Sequence, residues 1–276
     1  MKKIIFFFSL GFICFSMQAQ KHELVKLWET DSVFKVPESV LFDADNNVLY
    51  IANIDGTQPW EKDGKGSIGK MGADGKNIIV EWVKGLDAPK GMGLYQKQLY
   101  VADLTRIVVI DIVKGEISRE IEIPGAQGLN DISITSTGVI YVSDSRGKKV
   151  FRVMNDKSEI FIDSLKGPNG VLVHKEDFYL LDAGGLYKME WDMSLSKIAD
   201  GMEGGTDGVE NITGNEFIVS CWAGVIWYIN ADGTKELLLD SREQKKNSAD
   251  IGINADKKII YVPTFWRNTV VAYQVK

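Results

Sequence analysis

Leu49-Tyr50-Ile51-Ala52-Asn53 returns as Leu99-Tyr100-Val101-Ala102-Asp103, as Ile140-Tyr141-Val142-Ser143-Asp144 and, more loosely, as Phe178-Tyr179-Leu180-Leu181-Asp182. Two further copies, Glu216-Phe217-Ile218-Val219-Ser220 and Ile260-Tyr261-Val262-Pro263-Thr264, carry the series nearly to the carboxyl end. A period of about 40 residues is that of a four-stranded propeller blade. Six copies predict an all-β chain folded as a six-bladed β-propeller.

The sequence around each copy supports strands rather than helices. Short β-branched and aromatic runs are cut by turn pairs such as Asp74-Gly75 and Asp232-Gly233, the chemistry of hairpins. In the fifth repeat, Gly208 to Ile212, Glu216 to Ser220, Val225 to Asn230 and Glu236 to Asp240 read as four consecutive strands. A lone blade leaves both faces bare, whereas six around an axis bury those faces and leave only short edges. The last repeat offers three strands, ending at Thr269 to Val275, while an unpaired strand-like segment, Glu23 to Glu29, lies at the other end. Pairing the two closes the ring.

At the amino terminus, Lys2 and Lys3 precede an apolar run from Ile4 to Ser16, with Ala19 just before Gln20. That is the pattern of a cleaved secretory leader over residues 1–19, which makes residues 20–276 a propeller that is periplasmic or secreted and has no membrane anchor after cleavage. Cys14 leaves with the leader, and Cys221 then has no partner for an internal disulfide. Loss of Lys2 and Lys3 takes the formal charge from −6 to −8. Lysines scattered among acids, without a dense basic patch, exclude nucleic acid as the expected partner. A small-molecule substrate is expected instead, and the oligomeric state is left open.

In a propeller the innermost strands begin on the face where the second strands end, so residues from every blade converge on one mouth of the central channel. Ten to twelve residues upstream of the repeat anchors lie Glu38, Lys90, Asn130, Asn169, Asp207 and Asp250. All are polar and three are carboxylates. Brought together in a narrow funnel, Glu38, Asp207 and Asp250 must take up protons or be neutralised by a cation. Carboxylate and amide oxygens suit a hard divalent ion, Ca²⁺ first, with Mg²⁺, Mn²⁺ and Zn²⁺ behind it. Neither His22 nor His174 falls in the ring. Trp60, Arg106, Arg146, Trp222, Trp266 and Arg267 follow the second strands on the same face.

Pro37-Glu38-Ser39-Val40, Leu129-Asn130-Asp131, Gly167-Pro168-Asn169-Gly170 and Thr206-Asp207-Gly208 resemble four motifs of the senescence marker protein, gluconolactonase and luciferin-regenerating enzyme family, the regucalcin-like propellers. The resemblance spans essentially the whole chain after the leader. It implies one divalent ion held by Glu38, Asn169 and Asp207, with Asn130 beside them contacting substrate. Many members of that family are lactonases, and at such a site Asp207 is expected as general base and Lys90 or an arginine at the oxyanion, with Asp250, Trp222 and Trp266, placed on the same face, as further substrate contacts. Gly128-Leu129 replaces the Arg-Phe that commonly precedes the family's Asn-Asp pair, and no Pro-Trp follows the glutamate motif. Those departures bear on the substrate more than on the fold.

Taken singly, a Glu after Pro, an Asn before Asp or an Asp-Gly is more often a turn or strand cap than a ligand. Equivalent placement in separate repeats is what favours a site. Three functions follow: a metal-dependent hydrolase of a lactone or cyclic ester, sugar-derived; a non-catalytic exported propeller that binds a small ligand or partner protein through the same face; and, ranked lower, strictosidine-synthase-like or paraoxonase-like chemistry.

Overall fold

The computed structural model describes residues 21–276, so the leader expected over residues 1–19 lies outside the described residues. Alternation of apolar and polar side chains produces antiparallel strands, and short turns hold them in six four-stranded sheets. The innermost strands of the first five blades are Pro37–Asp43, Pro89–Tyr95, Leu129–Ile134, Pro168–His174 and Thr206–Thr213. The sixth blade starts with the short strand Gly252–Asn254. Each innermost strand touches those of the blades on either side, and the sixth returns to the first. Asp250 N donates to Glu38 O at 2.9 Å and Val40 N to Asp250 O at 3.2 Å, stitching the last blade directly to the first.

The expected closure is present. Leu24–Glu29 forms the outer edge of the sixth blade, antiparallel to Val270–Val275, with Leu24 opposite Val275 and Glu29 opposite Val271. Glu23 and Lys276 exchange backbone hydrogen bonds at 3.0 Å, extending the seal to the chain's carboxyl end. The ring is therefore locked by a pairing between its two ends.

The core lies in the seams between blades. Tyr50 packs with Leu86, Met92 and Val101 in the seam of blades one and two, and Tyr261 with Val40, Leu49 and Ile51 in the seam of blades six and one. Full burial of such a side chain stabilises the fold by about 1.5–3 kcal/mol. The fifth repeat is one residue out of the expected register. Cys221 pairs with Thr206 as Asn53 pairs with Pro37, so Ile218, not Phe217, stands where Tyr50 stands. Ile218 faces the sixth blade while Phe217 faces back to the fourth, as the pleat requires of neighbours in a strand. Among the described residues, Cys221 is a free, buried thiol, and no helix is long and apolar enough to cross a membrane.

Candidate functional site

Glu38, Lys90, Asn130, Asn169 and Asp207 are each the second residue of an innermost strand, and the strand-end acids of the repeats hold those entries in place. Asp103 accepts hydrogen bonds from Asp87 N and Ala88 N, Asp144 from Gln127 N and Gly128 N, and Asp182 from Lys166 N and Gly167 N. In each case these are the two amides that lie two and three residues before the ring residue. Asn53 does the same for Lys35 N at 3.3 Å. In all five blades the ladder to the second strand also breaks register across the ring residue, between Pro37 and Ser39, Pro89 and Met92, Leu129 and Ile132, Pro168 and Val171, and Thr206 and Val209. A bulge re-aims a side chain and releases it from the ladder. Five of them set at one level turn five side chains toward one mouth.

Asn169-Gly170 and Asp207-Gly208 are therefore not turns. A Cβ on Gly170 would lie 2.6 Å from Asp207 O, and one on Gly208 would lie 2.7 Å from Ile251 N. The innermost strands approach so closely at these two positions that a Cβ at either would press on the backbone of the next blade.

The ring is partly self-paired. Asn169 Nδ2 donates to Asp207 Oδ1 at 2.8 Å, Ser39 Oγ to Asp250 Oδ2 at 2.7 Å, and Asn130 Nδ2 to Ser145 Oγ at 3.1 Å. Lys90 Nζ stands 3.9 Å from Glu38 Oε1. Glu38 Oε2 and Asn169 Oδ1 are buried with no hydrogen-bond partner among the described residues. Burial pushes the Asp207 carboxyl well above its usual range, and repulsion from Glu38 and Asp250 adds to it against the Asn169 hydrogen bond and the Lys90 charge. Burial likewise raises Glu38 against the attraction of Lys90, and lowers Lys90 against Glu38, Asp207 and Asp103. Both partners of this pair lean toward neutrality, so desolvation outweighs their mutual attraction. Asp250 is pushed up to about 7 by burial and then by Glu38.

A cavity of 680 Å³ opens at this mouth, lined in part by Trp60, Asn130, Ser145, Pro168, Asn169 and Thr206. That volume suits a small molecule. Asp250 lines a separate cavity of 190 Å³ within the channel, beside Asp131 and Glu210. Asp131 accepts from Ile132 N and from Val171 N of the next blade, both at 2.7 Å, and so joins blades three and four. Trp222 and Trp266 are 39% and 44% exposed and pack edge-on against Phe265, at 5.4 and 4.7 Å, outside the cavity lining. Trp60 is the indole at the cavity. Arg106 is taken up by Asp87, Asp103 and Glu120. Among the described residues no three His, Cys, Asp or Glu side chains stand close enough to hold a metal by themselves, so an ion here would draw on amide oxygen as well as carboxylate.

The fold and its mouth define a six-bladed β-propeller with a polar, acid-rich channel entrance. No sequence family and no curated protein matches the chain. Solved structures do. An inactive variant of virginiamycin B lyase from Staphylococcus aureus with quinupristin is 14% identical over 92% of this chain and 99% of its own, with a TM-score of 0.63. A nidogen/laminin complex gives 18% identity over 79% and 84%, with a TM-score of 0.66. A streptogramin B lyase gives 14% over 92% and 97%, with a TM-score of 0.61. At these identities the likeness establishes the propeller fold and nothing finer.

Proposed function

We propose that the protein is an exported, divalent-metal-dependent hydrolase that opens a lactone or related cyclic ester of a small, sugar-derived molecule. The observation that carries this is the pair of buried, unpartnered oxygens, Glu38 Oε2 and Asn169 Oδ1, on the side chains nearest the buried Asp207 carboxyl in charge and hydrogen bonding. An orphaned buried acceptor costs about 1–3 kcal/mol, and a hard cation removes that cost. The donors are all oxygen, which fits Ca²⁺ best. Glu38, Asn169 and Asp207 would hold the ion, as the resemblance to the gluconolactonase family implies. Once bound, a divalent ion supplies Lewis acidity to the ester carbonyl and offsets charge that develops on oxygen.

The chain's own groups account for the rest. Asn130 and Trp60, on the cavity wall, orient the substrate. Asp207 takes a proton from the attacking water as its oxygen bonds to the carbonyl carbon, then returns the proton to the ring oxygen as the C–O bond breaks. The raised Asp207 pKa ties its service as a base to a neighbouring positive charge.

A screen of aldonolactones with Ca²⁺, Mg²⁺, Mn²⁺, Zn²⁺ and chelator tests this reading. The expected result is turnover that chelator abolishes and that Asp207→Ala lacks. Turnover persisting in chelator removes the metal mechanism, and ligand binding without turnover under any ion makes the protein a binding module.

A further inference from the structure

Two cations flank the indole at the cavity. Lys90 Nζ lies 4.6 Å from the Trp60 ring centroid and the Arg146 guanidinium carbon 6.0 Å from it. Lys90 is 2% exposed. Its ion-pair partner, Glu38 at 3.9 Å, is beyond hydrogen-bonding reach. An ammonium carries three donors, so Lys90 has donors free for a ligand oxygen.

Arg146 gives the second observation. It follows Ser145 at the cavity wall, its stem lies over Gly128, and it makes no ion pair or hydrogen bond among the described residues. The other five arginines all do. Arg106 pairs with Asp103, Arg119 with Asp156, Arg152 with Glu159 and Arg242 with Asp240, while Arg267 donates to the backbone oxygens of Gln244 and Lys245. The guanidinium left without an acceptor is the one beside the cavity.

We infer that the cavity recognises an anionic small molecule, whose carboxylate is taken by Arg146 and Lys90 while its ring or chain lies along Trp60. A guanidinium fork suits a carboxylate's two oxygens, and Lys90 adds a further donor on the same indole. None of the ring's three acids lines the cavity, whose one lining carboxylate is Glu203, and Lys90 stands beside Glu38. Where this rests on the hydrolase reading, it narrows the substrate to a lactone that carries a second, free carboxylate, such as a monolactone of an aldaric acid.

The test is equilibrium binding, by calorimetry in chelator without turnover, of a glucaric acid monolactone, which is anionic, and of gulonolactone, which is neutral. The anion is expected to bind at least about tenfold more tightly, the worth of one charge-assisted hydrogen bond. Arg146→Gln, at an exposed position, brings the ratio close to one, and Arg146→Lys keeps part of the preference. Lys90→Met lowers the ratio as well, with melting curves to confirm that the variant is folded. Equal affinities, no binding of the anion, or a ratio that Arg146→Gln leaves unmoved overturns the inference. Hydrolysis absent with the preference intact removes only the hydrolase reading, and hydrolysis present with no preference removes only this one.

Discussion

Two regions built from the same strands are treated in opposite ways by the sequence. Two residues past each ring residue, the innermost strands of the first five blades place Val40, Met92, Ile132, Val171 and Val209 in the apolar seams. At the ring level itself the same strands bury Glu38, Lys90 and Asp207, and leave Glu38 Oε2 and Asn169 Oδ1 without hydrogen-bond partners among the described residues. The seams are where free energy is gained and the mouth is where some of it is given up. Unpaired buried polar groups persist in folded proteins chiefly where function needs them.

The largest effect should come from the seams. Tyr50→Ala removes a side chain that is 0% exposed and should cost about 3–5 kcal/mol in denaturant unfolding, the usual loss for a large buried aromatic. A cost under about 1 kcal/mol would mean that the seams are not the main source of stability.

The mouth should respond in the other direction. Asp207→Asn keeps a hydrogen-bond acceptor for Asn169 Nδ2 and removes a buried acid repelled by Glu38 and Asp250, so in chelator it should melt higher, by about 1 kcal/mol of added stability. Added Ca²⁺ should stabilise the unaltered protein by mass action and leave this variant unmoved. A lower melting temperature in chelator would place the mouth with the seams and erase the contrast.

A third effect is expected from pH. The Asp250 carboxyl, raised to about 7, holds its proton in the folded protein after the unfolded chain has released its own, near about 3.9. The unfolded state therefore binds fewer protons in that window, and stability falls as pH rises from about 4 to about 7. The share from Asp250 should be about 3 kcal/mol in chelator, and Asp250→Asn should remove that share of the decline. An unchanged slope in the variant would assign the titration to other groups.

The contrast also explains what was legible in the sequence. The blades and their closure were, because strand alternation and turn residues are local, and because Glu23 to Glu29 is a strand with no other partner. The ring positions were legible as an offset from Tyr50 and its counterparts. The fifth repeat slipped by one because Ile218 occupies the tyrosine's place and an aromatic, Phe217, sits next to it. The pairings Asn169 with Asp207 and Lys90 with Glu38 were not legible, since they depend on five bulges aiming side chains across the channel. Nor was it legible that Trp60 would reach the cavity and Trp222 and Trp266 would not, because those loops differ in length and route.

The aromatic rim gives the smallest effect and the sharpest check on where the mouth ends. Trp222 and Trp266 rest on Phe265 with about two fifths of each residue in solvent, so truncating either should cost less stability than Tyr50→Ala does, about 1–3 kcal/mol, and the small effect expected of them is on binding. Trp60 packs against the cluster of Val36, Ile54, Ala88 and Leu104 while its ring faces two cations. Trp60→Ala should therefore weaken binding of a glucaric acid monolactone, whereas Trp222→Ala and Trp266→Ala should leave its affinity within about twofold, since neither indole lines the cavity. If Trp222→Ala were instead the variant that lost binding, the ligand would lie across the fifth and sixth blades, and the division between mouth and rim drawn from the cavity would have to move with it.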